Sequence, residues 1–275
     1  MLDPRWVALS LNLGGKTFRT LLAHFQHDLD AIFAADEPEL RQVRGIGQKI
    51  SQAILTLNMD QITQRMEHWF TCGVQIATWN DEQYPASLKQ LDDAPPSLFY
   101  RGALHDDAHI GYAIVGTRNP TQTALEESSH LGSMLAQQGH IVISGLAYGV
   151  DKSAHIGALA VEGVTYAILG SGILNVYPQQ HEPLAEAILG YKGALICEVA
   201  PDAPVSTAGL VARNRLIIGM SEALIMVESA IDGGAMHTVR FAKQQNKPVY
   251  TLPLSASGNQ AILQDGGLDI SLFTS

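Results

Sequence analysis

The sequence predicts an α/β protein in which a doubly wound, Rossmann-like parallel sheet follows a small helical N-terminal domain. From about residue 110 the chain repeats six times an apolar, β-branched run, a polar or glycine-rich turn and an amphipathic helical stretch. The runs are YAIVG, HIVIS, VTYAIL, GALICEV, EALIMVE and PVYTLP. Because they are apolar throughout rather than alternating, each strand should be covered on both faces, as in a parallel sheet with helices on either side.

Length and composition set the domain organisation and exclude several classes of protein. At 275 residues, with 46% hydrophobic and 16% charged residues, the chain should form a helical domain over residues 1–73 and a Rossmann-like domain over 74–275. No basic leader and no run of about 18 apolar residues is present, so we expect a cytoplasmic protein without a membrane span. Cys72 and Cys197 lie far apart and are expected to be structural. The net charge of −10 argues against a generally basic nucleic-acid binder, so any such site must be local.

The strongest local pattern of the N-terminal domain is VRGIGQKISQAIL, residues 43–55. Two glycines in an apolar hairpin, followed by a lysine and a helix, are typical of a helix-hairpin-helix, whose N–H groups can bind a DNA phosphate. Gly45, Gly47 and Lys49 are therefore secondary DNA-binding candidates. A small SAM-like helical module that packs or binds protein explains the pattern equally well.

The loops after the first three predicted strands of the Rossmann-like domain are rich in groups that hold anions. They are GTRNPT (Gly116–Thr121), SGLAYGVD (Ser144–Asp151) and GSGILNVYP (Gly170–Pro178). Glycine lets the backbone approach a ligand closely, and free N–H groups at the following helix start favour negative charge. Each loop alone could be a tight βα turn, but the three together predict a groove for phosphates. In such sheets ligands bind beyond the carboxyl ends of the strands, where the strand order reverses.

After the fourth strand, ARNRLIIG places Arg213 and Arg215 on either side of Asn214 at a predicted helix start. A helix start disfavours cations, so an anion or a carboxylate must lie near these arginines. Two interpretations follow: a bound phosphate, or a structural ion pair with Glu228 as the candidate partner.

Several segments in order resemble one family. They are YAIVGTRNPT, ISGLAYGVDKSAHIGAL, YAILGSGILNVYP, ARNRLIIGMSEALIMVESAIDGGAMHT and SGNQAILQDGG, preceded by DEQYPASLKQLDDAPPSLFYRG. Together they are similar to the DprA family, also called Smf, the DNA-processing proteins of natural transformation. The resemblance covers roughly residues 74 to 267 with compatible spacing.

The resemblance implies a protein that binds and protects single-stranded DNA, helps to load the RecA recombinase and acts as a homodimer without catalytic turnover. It places the family's phosphate-contacting turn at the first loop, and the family's Arg-Asn-Arg segment after the fourth strand. Tyr148 stands where the family often has a basic residue, and we expect its ring to stack on a base. The expected DNA-binding residues are Gly116, Thr117, Arg118, Ser144, Gly145, Tyr148, Gly149, Ser171, Gly172, Arg213, Asn214 and Arg215.

Two further patterns could indicate an enzyme, but both are weaker than the resemblance to the DprA family. Asp151 and His155 are four residues apart and could form an acid/base pair, but without a nucleophile elbow we expect Asp151 to cap the helix and His155 to pack. DGGAMHTVR is similar to the motif of nucleoside-monophosphate hydrolases, yet Arg240 stands where their closing Glu would be. We therefore expect no catalytic residues, no cofactor and no metal site. The alternative is a nucleotide-binding or nucleoside-monophosphate-hydrolysing Rossmann protein.

Overall fold

The computed structural model describes residues 2–106 and 108–274, which fold into two compact units. The first unit extends to Tyr84 and includes Lys89–Leu98, and the second comprises Pro85–Leu88 and the chain from Phe99 onward. The boundary predicted after residue 73 follows the last long helix of the first unit. The structure assigns the next strand and the Pro-Pro segment to the first unit as well.

The first unit is a small helical domain with its own apolar core. Trp6, Phe18 and Trp79 meet edge to face in this core, with ring centroids 4.8 Å apart for Trp6 and Phe18 and 5.4 Å apart for Phe18 and Trp79. Its elements are α1 (Pro4–Asn12), α2 (Gly15–His24), α3 (Leu29–Ala34), α4 (Glu37–Leu40), α5 (Gln48–Leu55), α6 (Met59–Thr71) and β1 (Gln75–Thr78).

The predicted hairpin of the first unit is present between α4 and α5. Gly45 has a φ of +94°, and Gly47 is the N-cap residue of α5. Gly45, Gly47 and Lys49 are all exposed. The turn therefore has the backbone that the glycine pattern predicts.

The second unit contains the predicted parallel sheet. In its described residues the strand order is β2-β6-β5-β4-β3-β7-β8-β9, and β2 alone is antiparallel to its neighbour. The strands are β2 (Ser97–Gly102), β3 (Gly111–Val115), β4 (Ile141–Ser144), β5 (Thr165–Ile168), β6 (Ala194–Cys197), β7 (Ala223–Met226), β8 (Val249–Thr251) and β9 (Leu268–Asp269). The helices are α7 (Ala86–Lys89), α8 (Gln122–Gln137), α9 (Val150–Leu159), α10 (Glu182–Gly190), α11 (Thr207–Ala212), α12 (Asn214–Gly219), α13 (Met236–Gln244), α14 (Ser257–Gln264) and α15 (Ser271–Thr274).

The strand order reverses at β3. This strand pairs with β4 on one side and with β7 on the other, where Val115 lies opposite Met226. Because the chain proceeds outward in both directions from β3, the sheet is doubly wound, and the crevice for a ligand opens beyond the carboxyl ends of β3 and β7.

The buried strands explain why the apolar runs do not alternate. All residues of β4, β5, β6 and β7 are buried, and α8 and α9 pack together over the central strands. All six predicted runs become strands of this sheet. The prediction of a doubly wound α/β domain with a helical N-terminal domain is confirmed.

Candidate functional site

A cavity of about 590 Å³ opens at the carboxyl ends of β3 and β7, and we call it the switch-point cavity. The loop after β3, the loop after β7 and the segment from α11 to α12 form most of its wall. The lining residues are Val115, Gly116, Thr117, Arg118, Ala147, Asp151, Tyr177, Thr207, Leu210, Val211, Arg213, Asn214, Ser229, Ala230, Gly233, Gly234, Ala235, His237 and Thr238.

The loop after β3 is held by Glu228 and presents Arg118 to the solvent. The Thr117 N–H donates to the main-chain oxygen of Glu228 at 2.7 Å, and the Glu228 carboxylate accepts from the Thr121 N–H at 2.7 Å. Glu228 is thus used to fix this loop, so its suggested pairing with the Arg213–Arg215 segment is wrong. Arg118 is exposed at the rim, where its guanidinium can reach a ligand.

Arg213 lines the same cavity, but its guanidinium is buried and hydrogen-bonded to other parts of the protein. It is only 6% exposed and donates to the carbonyl oxygens of Gly145, at 2.5 Å, and Ile168. Its Nη2 lies 4.0 Å from the Asp151 carboxylate. A side chain at position 145 would overlap the guanidinium, which explains the glycine there. The ion-pair interpretation therefore describes Arg213, with Asp151 as the partner.

Asp151 closes the loop that precedes its helix. Its Oδ2 accepts from the Gly145 N–H at 3.1 Å and from the Ala147 N–H at 3.4 Å. The expectation that it caps α9 is wrong, because the N-cap residue is Gly149 and Asp151 reaches back across the turn. Burial raises the pKa of the Asp151 carboxyl above its usual range, while Arg213 and the two N–H donors act in the opposite direction. Burial likewise lowers the pKa of Arg213.

Seven of the expected DNA-binding residues lie outside the lining of the switch-point cavity: Ser144, Gly145, Tyr148, Gly149, Ser171, Gly172 and Arg215. The Ser144 hydroxyl donates to the Ile114 oxygen at 2.6 Å, and the Gly172 N–H donates to the Ala203 oxygen at 2.9 Å. Ser171 is 1% exposed, and Arg215 pairs with Glu198 at 2.5 Å. Ser144, Gly172 and Arg215 thus have internal contacts and Ser171 is buried, and the predicted DNA contacts of these residues remain predictions.

A second depression, of about 780 Å³, lies on the other side of Arg118, and we call it the α9 groove. Tyr148 forms part of its wall and is 40% exposed. The Tyr148 hydroxyl donates to Gln180 Oε1 at 2.7 Å, and the ring meets His181 edge to face at 4.7 Å. The groove is lined by Arg118, Asn119, Pro120, Leu125, Tyr148, Gly149, Lys152, Ser153 and Ile156.

Gly149 brings the two loops together. Its φ is +74°, a conformation that side chains rarely adopt, and an added Cβ would overlap the Thr117 carbonyl oxygen. The Val150 N–H donates to that same oxygen at 3.2 Å. The loops after β3 and β4 are therefore in direct backbone contact at this glycine.

His155 lies in the core rather than in either depression. Its Nδ1 is 2.7 Å from Thr165 Oγ1, and the Thr165 hydroxyl donates to the Val142 oxygen. The imidazole therefore carries its proton on Nδ1. Burial lowers the pKa of His155 to about 3. The expectation that this histidine packs is confirmed, and it forms no acid/base pair with Asp151.

Sequence reasoning missed the loop after β7 and the exposed part of α9. Ser229, Gly233 and Gly234 line the switch-point cavity, and Lys152 and Ile156 line the α9 groove. The signal for the loop is present in DGGAMHT, where two glycines precede a helix, although the same segment resembles a hydrolase motif. Lys152 and Ile156 have the i, i+4 spacing that places them on one face of α9.

Metal clusters and membrane-spanning helices are both absent from residues 2–106 and 108–274. No cluster of three or more His, Cys, Asp or Glu side chains in these ranges could hold a metal ion. None of the described helices combines the length and the apolar character needed to cross a membrane.

Two family models match the chain. The model described as DNA recombination-mediator protein A matches residues 75–269, and a helix-hairpin-helix motif matches residues 6–66. The second match supports the helix-hairpin-helix interpretation of the first unit over a SAM-like module.

Curated relatives match over most of the chain. Protein Smf of Synechocystis sp. is 32% identical over 263 residues, which are 93% of this chain and 66% of that protein. Protein Smf of Escherichia coli is 36% identical over 174 residues, covering 63% of this chain and 46% of that protein. DNA processing protein DprA of Bacillus subtilis is 31% identical over 202 residues, covering 70% of this chain and 67% of that protein. The chain thus spans about half to two thirds of the length of these relatives.

Two solved structures share the fold. DNA processing protein A of Streptococcus pneumoniae superposes with a TM-score of 0.83 at 21% identity, covering 98% of this chain and 95% of that one. DNA processing protein A of Helicobacter pylori, whose structure concerns its single-stranded DNA binding mode, gives a TM-score of 0.64 at 27% identity and covers 71% of this chain and 91% of that one. The family match over residues 75–269, the curated relatives and the shared fold lead to one conclusion: this chain belongs to the DprA/Smf family of DNA recombination mediators.

Proposed function

We propose that this protein binds single-stranded DNA at the switch-point cavity and acts as a recombination mediator that helps to load RecA. The observation that carries the proposal is the exposed guanidinium of Arg118, held by a fixed loop at the rim of a glycine-rich cavity. Phosphate contacts of this kind supply most of the sequence-independent affinity for nucleic acid. The relative from Helicobacter pylori, which binds single-stranded DNA, supports the choice of ligand.

The charges in the switch-point cavity favour an anion although the whole chain is acidic. Arg118 and Arg213 contribute positive charge, and the first turn of α13 borders the cavity. Asp151 is the single acidic residue among the described lining residues, and Arg213 and two N–H groups already neutralise it. The net charge of −10 of the whole chain would keep it from binding polyanions at random.

We also propose that the cavity performs no hydrolysis. The Asp151 carboxylate is engaged by the protein, His155 faces Thr165 in the core, and Arg240 occupies the place of the hydrolase glutamate. His237 is the one imidazole among the described lining residues, and a catalytic base of this kind needs a third group to orient it, whereas the one lining carboxylate, Asp151, is already paired with Arg213.

The test is a titration of labelled single strands over a salt series with Arg118→Gln. Loss of one phosphate contact should weaken binding to all sequences and lower the salt slope by about 0.7. Arg101→Gln is the matched control, because Arg101 lies opposite Leu195 near the amino end of β6 and pairs with Glu186. Unchanged affinity and slope in Arg118→Gln would refute the site. A nucleoside monophosphate that binds as tightly as a strand would favour the nucleotide-binding alternative.

The hairpin of the first unit is proposed as a secondary DNA contact. Gly45, Gly47 and Lys49 are exposed there, and the helix-hairpin-helix match covers them. Lys49→Gln should weaken binding to long strands, and equal binding by the variant and the parent would remove this contact from the proposal.

Homodimer formation and RecA loading are proposed from the family alone. Sedimentation at several protein concentrations should show a dimer, and the protein should accelerate formation of RecA filaments on strands coated with single-strand-binding protein. A monomer at all concentrations, or filament formation at an unchanged rate, would contradict the respective proposal.

A further inference from the structure

We infer that the α9 groove holds a base of the strand whose phosphate lies at Arg118. This inference rests on the proposed function and adds a base subsite to it. The groove and the switch-point cavity share Arg118, so a DNA strand bound at the cavity rim lies next to the groove.

The wall of the α9 groove combines apolar surface with positive charge. Tyr148 is 40% exposed and Ile156 is 44% exposed, and both line the groove. Lys152 lies between them in the sequence, is exposed and also lines the groove, and no acidic residue is among the described lining residues. A strand offers apolar base faces joined by negative phosphates, which matches this arrangement.

Tyr148 is held in place before any ligand arrives. The hydroxyl at one end of the side chain is fixed by Gln180, and the ring meets His181, which is 2% exposed, in an edge-to-face contact. His181 is in turn fixed, because its Nδ1 lies 2.8 Å from the Leu146 oxygen. A ring with a fixed orientation and an exposed part loses little entropy when a base stacks on it.

Gly149 joins the loop of the phosphate contact to the loop of the ring. The backbone of Gly149 packs directly on the carbonyl of Thr117, which precedes Arg118 in the chain. Tyr148 directly precedes Gly149. The guanidinium and the ring are therefore presented by two loops in contact, and both side chains line the α9 groove.

The experiment compares two strands of equal length and charge, an oligothymidylate and a strand of abasic residues, at one salt concentration. The protein should prefer the strand with bases by about 5- to 150-fold, the range expected for one stacked base. Tyr148→Leu and Ile156→Ala should reduce this preference strongly and leave the salt slope unchanged. Tyr148→Phe should keep most of it, because the ring and its contact with His181 remain.

Tyr191→Leu is the matched control, since Tyr191 is 42% exposed and follows α10, just before the amino end of β6. It should change neither affinity nor preference. Melting curves of all variants show whether a loss follows from unfolding, and the exposed Ile156 gives a second test if Tyr148→Leu fails to fold.

The outcomes separate the two proposals. Full preference retained by Tyr148→Leu and Ile156→Ala, with Arg118→Gln still weakening both strands, would overturn the base subsite alone. Equal binding of the two strands by the parent protein would also overturn it. Failure of the parent to bind either strand would overturn the proposed function and the base subsite together. Competition by thymidine monophosphate at strand-like concentrations would assign the groove to free nucleotides instead.

Discussion

Replacing Arg213 with Gln should destabilise the second unit by about 4 kcal/mol. The change leaves the Asp151 carboxylate, 4.0 Å away, without its counter-charge and takes the donor from the carbonyl oxygens of Gly145 and Ile168. Breaking a buried pair from one side costs about 3–5 kcal/mol, and an unpaired buried carbonyl about 1–3 kcal/mol. These two costs overlap, and Asp151 keeps two N–H donors, so the total loss of stability should lie near the sum of the two lower limits.

The assay is urea denaturation followed by far-ultraviolet circular dichroism. Tryptophan fluorescence is the wrong probe here, because Trp6, Trp69 and Trp79 all belong to the first unit. Arg118→Gln is the matched control, since its exposed side chain should change stability by no more than about 0.5 kcal/mol. A stable Arg213→Gln protein that has lost strand binding would refute the structural role and make Arg213 a direct phosphate contact.

Three further predictions concern the same unit. In the unfolded chain His155 takes up a proton near pH 6.5, whereas in the folded protein it does so only near pH 3. The contribution of His155 to stability is therefore complete above pH 6.5 and falls as the pH falls. About 2 kcal/mol of the free energy of unfolding should be lost between pH 6.5 and 5. Urea titrations should show a shallower pH dependence in His155→Gln, and equal slopes would contradict the prediction. Gly149→Ala should lower the melting temperature by several degrees, because a Cβ there overlaps the Thr117 oxygen at a positive φ, while Gly190→Ala meets open space and should not. Purified protein should release neither phosphate nor base from nucleotides; release abolished by Asp151→Asn would establish the hydrolase alternative.

The sequence predicts the sheet because the physics of a buried strand is local. A run that is apolar at every position must be covered on both faces, and this can be predicted from the composition of the run alone. The loop after β3 could be predicted as part of the site for a similar reason. A Gly-Thr-Arg turn after such a run brings backbone N–H groups and a guanidinium to the edge of the sheet. Arg118 is exposed at that edge as expected.

The order of strands is not local, and this explains the missed half of the site. The cavity lies where β3 and β7 are neighbours, although more than 100 residues separate them along the chain. Sequence reasoning grouped the loops after β3, β4 and β5, which are consecutive in the chain, and so it included Ser171 and Gly172 but omitted Gly233 and Gly234. Pairing at the reversal point depends on contacts that no single segment encodes.

Arg118 and Arg213 show why residue type and position in a motif do not decide a role. Both arginines follow strands of one sheet and both line one cavity, yet Arg118 is exposed while Arg213 is buried against two carbonyls and Asp151. The difference in exposure between the two arginines has a physical basis. A guanidinium that binds a DNA strand reversibly must be hydrated again when the DNA leaves, whereas a guanidinium that fixes a loop must not exchange its partners for water. Arg213 holds the loop that carries Tyr148, so the buried pair shapes the surface that Arg118 shares with the α9 groove.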